Sequence, residues 1–165
     1  MKSVGEGMRQ LISFVVGDQE FCVDVTTVRE IRGWTPATPI PQSPDYLRGV
    51  INLRGAIMPV VDLRNRLGYG RTEPEARHVI IVVECGERLA GVLVDAVCDT
   101  MTVDVGDIQA APETGAPDQA FVRGIIPVDD RLITYLSMED IFPRRMGDAA
   151  AALMTQAGVD VAQAA

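Results

Sequence analysis

The side chains that could do chemistry are few, and they are spread along the chain. One histidine, His78, and three cysteines, Cys22, Cys85 and Cys98, would supply four zinc ligands by number. Zinc sites usually draw their ligands from close pairs such as Cys-x-x-Cys, and no such pair is present. An odd number of unpaired cysteines is typical of reduced, buried thiols in a cytosolic protein. We therefore predict no metal site and no cofactor.

No sequence pattern of a known catalytic class is present either. His78 lies within an apolar run, which favours a structural or surface imidazole over a general base. Asp99, Asp104 and Asp107 lack the spacing and the central glycine of a calcium loop. The sequence also has no nucleophile elbow and no phosphate-binding glycine loop. We predict that the chain is not an enzyme and has no catalytic residue, and we keep a thiol enzyme as an alternative.

Composition restricts the kinds of partner that the chain can have. The net charge is −8 and the pI is near 4.6, which argues against binding a nucleic-acid backbone. Barrels that bind single strands need a basic groove with stacking aromatic residues, and only 5% of this chain is aromatic. The amino terminus lacks the apolar core of a signal peptide, and no apolar run is long enough to span a membrane. We expect a soluble, cytoplasmic protein with no nucleic-acid partner and no membrane insertion.

The stretch Arg48–Leu63, RGVINLRGAIMPVVDL, predicts a β-hairpin. Two β-branched runs flank the pair Arg54-Gly55, which suits a tight turn. Asp62 follows the second run and is placed to cap a short helix, Leu63–Leu67, that ends at Gly68. An arginine at the tip of an apolar hairpin is more typical of a recognition surface than of catalysis.

Other short apolar runs, bounded by glycine, proline and aspartate turns, predict further strands. They are Gln10–Val16, Glu20–Val25, His78–Glu84, Arg88–Val94, Thr100–Val105, Phe121–Val128 and Arg131–Ser137. Val25, Val28 and Ile31 recur every three residues, which predicts one or two helical turns. Similar turns are predicted at Asp95–Asp99 and at Met138–Phe142.

The second half of the sequence repeats the first. QLISFVVGDQEFCVDVTTVRE aligns with HVIIVVECGERLAGVLVDAVCD, with one inserted residue. LRGVINLRGAIMPVVDL aligns with VRGIIPVDDRLITYL, whose hairpin we expect to be shorter. A repeat of about seventy residues with short strands indicates a duplicated small barrel and not a solenoid. The predicted divisions are a flexible start at 1–8, a first lobe at 9–76, a second lobe at 77–143 and a mobile, alanine-rich tail at 144–165.

Taken together, these features resemble the CheW family of chemotaxis coupling proteins. The resemblance covers residues 9–143 and rests on the Val28-x-Glu30-Ile31 turn and four segments: TPIPQSP, GVINLRGAIMPVVDL, RLAGVLVD and GIIPVDDRLITYL. It implies an all-β fold of two five-stranded SH3- or OB-like barrels with short helical turns, with strand exchange between the lobes as an option. It also implies a non-catalytic adaptor, recruited to receptor arrays at the inner face of the membrane. That adaptor would join the cytoplasmic hairpin tip of a methyl-accepting chemoreceptor to the regulatory domain of a CheA-type histidine kinase.

The resemblance also assigns residues to two contact surfaces. The receptor-facing groove would combine apolar lining, one acid, one glycine and one arginine: Ile12, Val25, Val28, Glu30, Ile31, Gly49 and Arg54. The kinase contact would use the loop Gln109–Thr114, through Gln109, Pro112 and Glu113. This chain departs from the family at Thr114, where an aromatic residue is usual.

Each of these residues also has an ordinary structural interpretation. Arg54 could be an exposed turn residue and Glu30 a solvated carboxylate, while the apolar residues could belong to the core. Gly49 could serve only a close approach of the backbone. The alternative function is a CheW-like interaction module of a different chemosensory-type signalling pathway.

Overall fold

The fold is taken from a computed structural model that describes residues 7–85, 88–110 and 121–142. Pro112, Glu113 and Thr114 of the predicted kinase loop, and the predicted mobile tail at 144–165, lie outside the described residues. So do the first six residues of the predicted flexible start.

The described chain consists almost entirely of short strands. They are β1 (Met8–Val16), β2 (Gln19–Asp24), β3 (Val28–Gly33), β4 (Leu47–Leu53), β5 (Ala56–Asp62), β6 (Val79–Cys85), β7 (Arg88–Val94), β8 (Ala96–Asp104), β9 (Val122–Val128) and β10 (Arg131–Leu136). Two four-residue helices, α1 (Leu63–Arg66) and α2 (Met138–Ile141), follow β5 and β10. Single 3₁₀ turns occupy Val25–Thr27 and Val105–Asp107. Most predicted strands agree with these bounds to within two residues.

Two predicted helical turns were wrong. Only Val25–Thr27 is helical in the first of them, and Val28–Gly33 is strand β3, paired with β6. The second, Asp95–Asp99, lies almost entirely in β8, which pairs with β1. Both strands contain a bulge opposite their partner, and in β3 the apolar Val28 and Ile31 are three residues apart, so they lie on opposite faces of the strand. Pairing with an apolar neighbouring strand therefore decided the local structure.

The ten strands form two five-stranded sheets, which confirms the predicted fold class. One sheet has the order β3-β6-β7-β5-β4, and we call it the Arg54 barrel after the residue at its hairpin tip. The other has the order β8-β1-β2-β10-β9, and we call it the Asp129 barrel. In each barrel the chain beyond one edge strand pairs with the opposite edge strand, through Thr38 and Val50 or through Gln109 and Ile125. These bridges close both sheets.

The two orders are related by the internal repeat. The repeat makes β1 to β5 the counterparts of β6 to β10, and exchanging each strand for its counterpart turns one order into the other. Each barrel therefore takes the hairpin β1–β2 or β6–β7 from one copy and three strands from the other. The predicted boundary between 76 and 77 separates the sequence copies, but it does not separate the barrels.

Three buried apolar clusters hold the barrels together. One fills the Arg54 barrel, with Ile51, Met58 and Leu93, and one fills the Asp129 barrel, with Leu11, Ile126 and Ile133. The largest cluster lies between the barrels and takes residues from both. Several strands are thus buried on both faces, which explains their continuous apolar runs.

The sequence alignment predicted a shorter second hairpin, and this prediction was wrong: the two hairpins have the same length. β4 and β5 pair from Leu47 to Leu53, with Leu53 opposite Ala56. β9 and β10 pair down to Val128 opposite Arg131. Both hairpins therefore end in a two-residue turn, Arg54-Gly55 or Asp129-Asp130.

Candidate functional site

The structure brings Glu30 and Arg54 together at the rim of the Arg54 barrel. The Arg54 Nη2 atom donates to Glu30 Oε1 at 2.5 Å. Glu30 lies on β3 and Arg54 at the tip of the β4–β5 hairpin, and these are the two edges of the sheet. The ion pair therefore forms because the barrel closes, although the residues are distant in sequence.

The hairpin turn fixes the position of Arg54. Arg54 and Gly55 both have positive φ, 51° and 89°, as in the type I′ turns that suit the twist of a hairpin. The Asn52 side chain accepts from the Gly55 N–H at 2.8 Å. Arg54 consequently projects from a constrained turn, with 69% of its side chain exposed.

Electrostatics at the rim favours a charged Glu30. The hydrogen bond from Arg54 lowers the pKa of the Glu30 carboxyl below its ordinary value, and the positive charges of Arg54 and Arg32 lower it further. The Arg32 Nη1 atom lies 3.7 Å from Glu30 Oε2. Sequence analysis did not identify Arg32 as a site residue. In a strand, residues two apart lie on the same face, so interpreting this stretch as a strand would have placed Arg32 beside Glu30.

The apolar residues proposed for the groove do not share one helical face. Ile31 is 43% exposed, whereas Val25 and Val28 are partly buried against the cluster between the barrels. In strand β3 burial alternates: Val28 and Glu30 are partly buried, and Ile31 is exposed. Ile31 is thus the apolar side chain of this stretch that is most open to a partner.

Ile12 and Gly49 lie inside the molecule. Ile12 is buried in the cluster between the barrels, with 7% exposure. Gly49 has φ 138°, and a Cβ atom there would lie 2.2 Å from the Thr38 carbonyl oxygen. The Val50 N–H donates to that same oxygen at 2.9 Å. Gly49 therefore allows the close backbone approach that closes the barrel.

The counterpart rim on the Asp129 barrel has the opposite chemistry. The repeat places Asp99 where the first copy has Glu30, and Asp129 where it has Arg54. Both counterparts are exposed carboxylates, so an ion pair of the Glu30–Arg54 type cannot form between them. The arginine that follows the turn of this hairpin, Arg131, pairs instead with Glu20 at 2.9 Å.

The predicted kinase loop begins at the closing bridge of the Asp129 barrel. Gln109 is exposed, and its backbone exchanges hydrogen bonds of 2.9 and 2.7 Å with Ile125. This pairing fixes the start of the loop. Pro112 and Glu113 are outside the part of the chain that the structure describes.

The surroundings of Cys22, Cys98 and His78 do not activate these side chains for chemistry. Burial raises the pKa of the Cys22 thiol to about 12, and desolvation also raises the pKa of the Cys98 thiol. Reactive thiols have a lowered pKa, so neither is activated. The buried His78 accepts from the Glu75 N–H at its Nδ1 atom, at 2.7 Å, and its Nε2 atom lies 3.5 Å from Asp95 Oδ1. Within the described ranges no group of His, Cys, Asp and Glu is arranged to hold a metal ion.

The structure defines a class of small all-β domain that is built from two duplicated five-stranded barrels. Residues 10–146 match the family model described as a CheW-like domain. Chemotaxis protein CheW of Rhizobium meliloti (strain 1021) is 49% identical over 150 residues, which cover 90% of this chain and 97% of that protein. Probable chemotaxis protein CheW of Rhizobium etli is 50% identical over 151 residues, covering 91% and 97%. This chain belongs to the CheW family of chemotaxis scaffolding proteins.

A solved structure agrees with this assignment. The crystal structure of scaffolding protein TtCheW from Thermoanaerobacter tengcongensis is similar, with a TM-score of 0.75 and 33% identity. The match covers 82% of this chain and 88% of that one. Among the described residues, no helix is long and apolar enough to cross a membrane.

Proposed function

We propose that this scaffold is a non-catalytic adaptor that joins the cytoplasmic hairpin tip of a chemoreceptor to the regulatory domain of a CheA-type histidine kinase. The observation that carries the proposal is the Glu30–Arg54 pair beside the exposed Ile31, on one rim of a CheW-family chain. The adaptor would work in the cytoplasm, in receptor arrays at the inner face of the membrane.

The receptor contact would use the rim of the Arg54 barrel. A receptor hairpin presents helices, and a helix can place apolar anchors one turn apart into a shallow groove. Ile31 offers the exposed apolar contact. Val25 and Val28 are partly buried against the cluster between the barrels, so they would contribute by holding this stretch in place. Glu30 and Arg54 would contribute orientation and specificity more than affinity, as rim charges usually do.

Ile12 and Gly49 would support this contact from behind. Ile12 packs in the cluster against which Val25 and Val28 also pack. Gly49 lets β4 approach Thr38 and so holds the hairpin that carries Arg54. Their part in receptor binding is therefore to position the exposed residues.

The kinase contact would use the loop that starts at Gln109, together with Pro112 and Glu113. Gln109 is fixed by its pairing with Ile125 on β9, so the loop leaves the Asp129 barrel from a defined point. Receptor and kinase would thus occupy different barrels. A chain with one contact surface on each barrel can bind both partners at once.

The test is a charge reversal at each hairpin, Arg54→Glu and Arg131→Glu. Both variants change the net charge equally, and both break an exposed ion pair with a glutamate. Binding to a receptor cytoplasmic fragment and to a CheA regulatory domain is measured by titration calorimetry. We expect Arg54→Glu to weaken receptor binding about tenfold, because the reversed charge repels the groups that the arginine would attract, and to leave kinase binding unchanged.

Arg131→Glu is the control that distinguishes a local effect at the Arg54 rim from an effect of the changed net charge. Arg131→Glu should leave receptor binding unchanged, and both variants should keep the melting temperature nearly constant because exposed pairs contribute at most about 1 kcal/mol. Equal loss of receptor binding in both variants, or unfolding of Arg54→Glu, contradicts the assignment of Arg54. Failure of the unmodified chain to bind either partner contradicts the function and favours a CheW-like module of another signalling pathway.

A further inference from the structure

Arg66, the last residue of α1, lies between two aromatic rings. Its guanidinium carbon is 4.8 Å from the centre of the Tyr46 ring and 5.1 Å from the centre of the Phe121 ring. Both distances are within the range of cation–π contacts. Arg66 therefore contacts aromatic residues that are far apart in the sequence.

The two rings are counterparts in the internal repeat. Tyr46 directly precedes β4 and Phe121 directly precedes β9. The Tyr46 carbonyl accepts from Asp62 N–H at 2.7 Å, and the Phe121 carbonyl accepts from Ser137 N–H at 2.8 Å, so the backbone around them is also equivalent. One ring thus belongs to each barrel, and Arg66 bridges them.

A third contact reaches the second short helix. The Arg66 Nε atom donates to the carbonyl oxygen of Ile141 at 3.2 Å. Ile141 is the last residue of α2 and the repeat counterpart of Arg66 itself. The ends of the two equivalent helices therefore meet at this side chain, where the two copies face each other.

We propose that Arg66 is a positioning residue that fixes the orientation of the Arg54 barrel relative to the Asp129 barrel. The inference rests on the proposed function in one respect: by holding the barrels, Arg66 would hold the receptor-facing rim and the kinase-facing loop at a fixed distance. Arginine suits this role because its planar group can stack on rings while its N–H groups donate in fixed directions. Lysine would keep the charge but would lose the planar stacking.

The first experiment measures the orientation without any partner. Spin labels are attached at Ala56→Cys and Leu132→Cys, which are exposed positions on the two hairpins, in a full-length chain with Cys85→Ser and Cys98→Ser. Pulsed electron resonance then gives the distribution of distances between the labels. We expect Arg66→Met to broaden this distribution, since methionine keeps an apolar stem between the rings but loses the cation and the donor.

Arg77→Met is the control. Arg77 is an exposed arginine between β5 and β6, and its Nε atom donates to Glu75 Oε2, two residues away, at 2.7 Å. A distribution that broadens in Arg66→Met and not in Arg77→Met supports the proposal, and an unchanged distribution in Arg66→Met overturns it. If circular dichroism shows that Arg66→Met is unfolded, Arg66→Lys against Arg77→Lys decides by the same two outcomes.

The second experiment asks whether the orientation matters for coupling. Arg66→Met should bind the receptor fragment and the kinase domain separately as the unmodified chain does, while stimulation of the kinase in the three-component complex falls about fivefold or more. Full stimulation despite a broadened distribution overturns the coupling role. If the unmodified chain binds neither partner, the proposed function fails, but the spin-label distances still decide the positioning role of Arg66.

Discussion

The two hairpin tips share one backbone design and differ in the chemistry of their rims. Both hairpins end in two-residue turns at the same place in their barrels. The Arg54 barrel presents the ion pair of Arg54 with Glu30, whereas the Asp129 barrel has carboxylates at both equivalent positions. The difference teaches that duplication kept the scaffold and changed the side chains that a partner would meet.

The physical basis of this pattern is the uneven effect of substitutions. Changes in close-packed interiors commonly destabilise a protein by several kcal/mol, whereas exposed changes are usually within about 0.5 kcal/mol. Divergence after duplication is therefore least restricted at exposed rims. Substitutions at equivalent buried positions should therefore show whether the two barrels lose similar amounts of folding free energy.

The largest effect should come from the glycines that let each barrel close. Gly49→Ala places a Cβ atom 2.2 Å from the Thr38 oxygen at a φ of 138°, so we expect a loss of about 4 kcal/mol or failure to fold. Gly124→Ala meets Gln109 O and Ile108 Cγ2 at 2.7 Å without a positive φ. The Ile108 side chain can move and no positive φ is required, so only the backbone oxygen of Gln109 resists the new Cβ atom and we expect a smaller loss, about 2 kcal/mol. Urea unfolding measures both.

Equal losses of folding free energy in Gly49→Ala and Gly124→Ala would contradict the proposed difference between the two barrels. They would mean that both closures are equally strained, and that the positive φ of Gly49 contributes little. A larger loss at Gly124 would place the tighter closure in the Asp129 barrel.

The next effect concerns the residue that directly precedes each short helix, Asp62 before α1 or Ser137 before α2. The buried Asp62 carboxylate accepts from Thr72 N–H at 2.7 Å and from Thr72 Oγ1 at 2.6 Å, and it lies 3.9 Å from Arg48 Nη1. It also accepts from Asn65 N–H, as the predicted helix cap requires. Asp62→Ala removes the acceptor of the two Thr72 donors and of the Asn65 N–H, while Arg48 keeps its hydrogen bond to the Thr72 carbonyl, so we expect a loss of about 3 kcal/mol.

Ser137→Ala is the matched change in the other copy. The Ser137 hydroxyl oxygen accepts from Arg123 Nη2 at 3.4 Å, so its loss should be about 1 kcal/mol. Thermal unfolding of both variants gives the two losses of stability and their ratio. A loss at Ser137 as large as at Asp62 would show that the two polar networks have stayed equivalent.

The smallest effect is the titration of the ion-paired rim. Since Arg54 lowers the pKa of Glu30, the pair is complete above the ordinary carboxyl pKa and is lost as the pH falls through the lowered value. Arg54→Ala should raise the pKa of Glu30 toward its ordinary value of 4.5. A pH titration of the glutamate carboxyl signals by nuclear magnetic resonance measures this shift.

Glu75 is the internal control for that titration. Its pKa is lowered in the same way by Arg77, so it should stay lowered in Arg54→Ala. An unchanged Glu30 pKa in this variant would mean that Arg54 and Glu30 do not pair in solution, and the contrast between the two rims would disappear.

Much of the architecture could be predicted from the sequence, because strands and tight turns depend on neighbouring residues. The Arg54-Gly55 turn, the helix cap at Asp62 and most strands were predicted correctly. β3 was not, because its apolar residues Val28 and Ile31 are three residues apart, a spacing typical of a helix, and only the pairing with β6 makes this stretch a strand. The length of the second hairpin was also mistaken, since an alignment of short apolar runs does not fix the register of pairing.

The candidate site also combines features that could be predicted from the sequence with features that only the fold decides. The identities of Glu30 and Arg54 as candidates came from sequence motifs, but their contact depends on the closure of a five-stranded sheet. The sequence marked Ile12, Ile31 and Gly49 alike as candidates, and only packing separates the exposed Ile31 from the buried Ile12. Whether they contact a receptor stays a prediction.

By itself, then, the sequence determined the duplicated all-β composition, the hairpin tips and the family resemblance, because these are encoded in residue order and local preference. The tertiary structure decided which strands share a barrel and which charged residues meet. It also placed Arg66 between Tyr46 and Phe121, at the junction of the two copies. These features depend on contacts between residues far apart in the chain, and strand patterns alone do not specify which of several apolar partners a strand will choose.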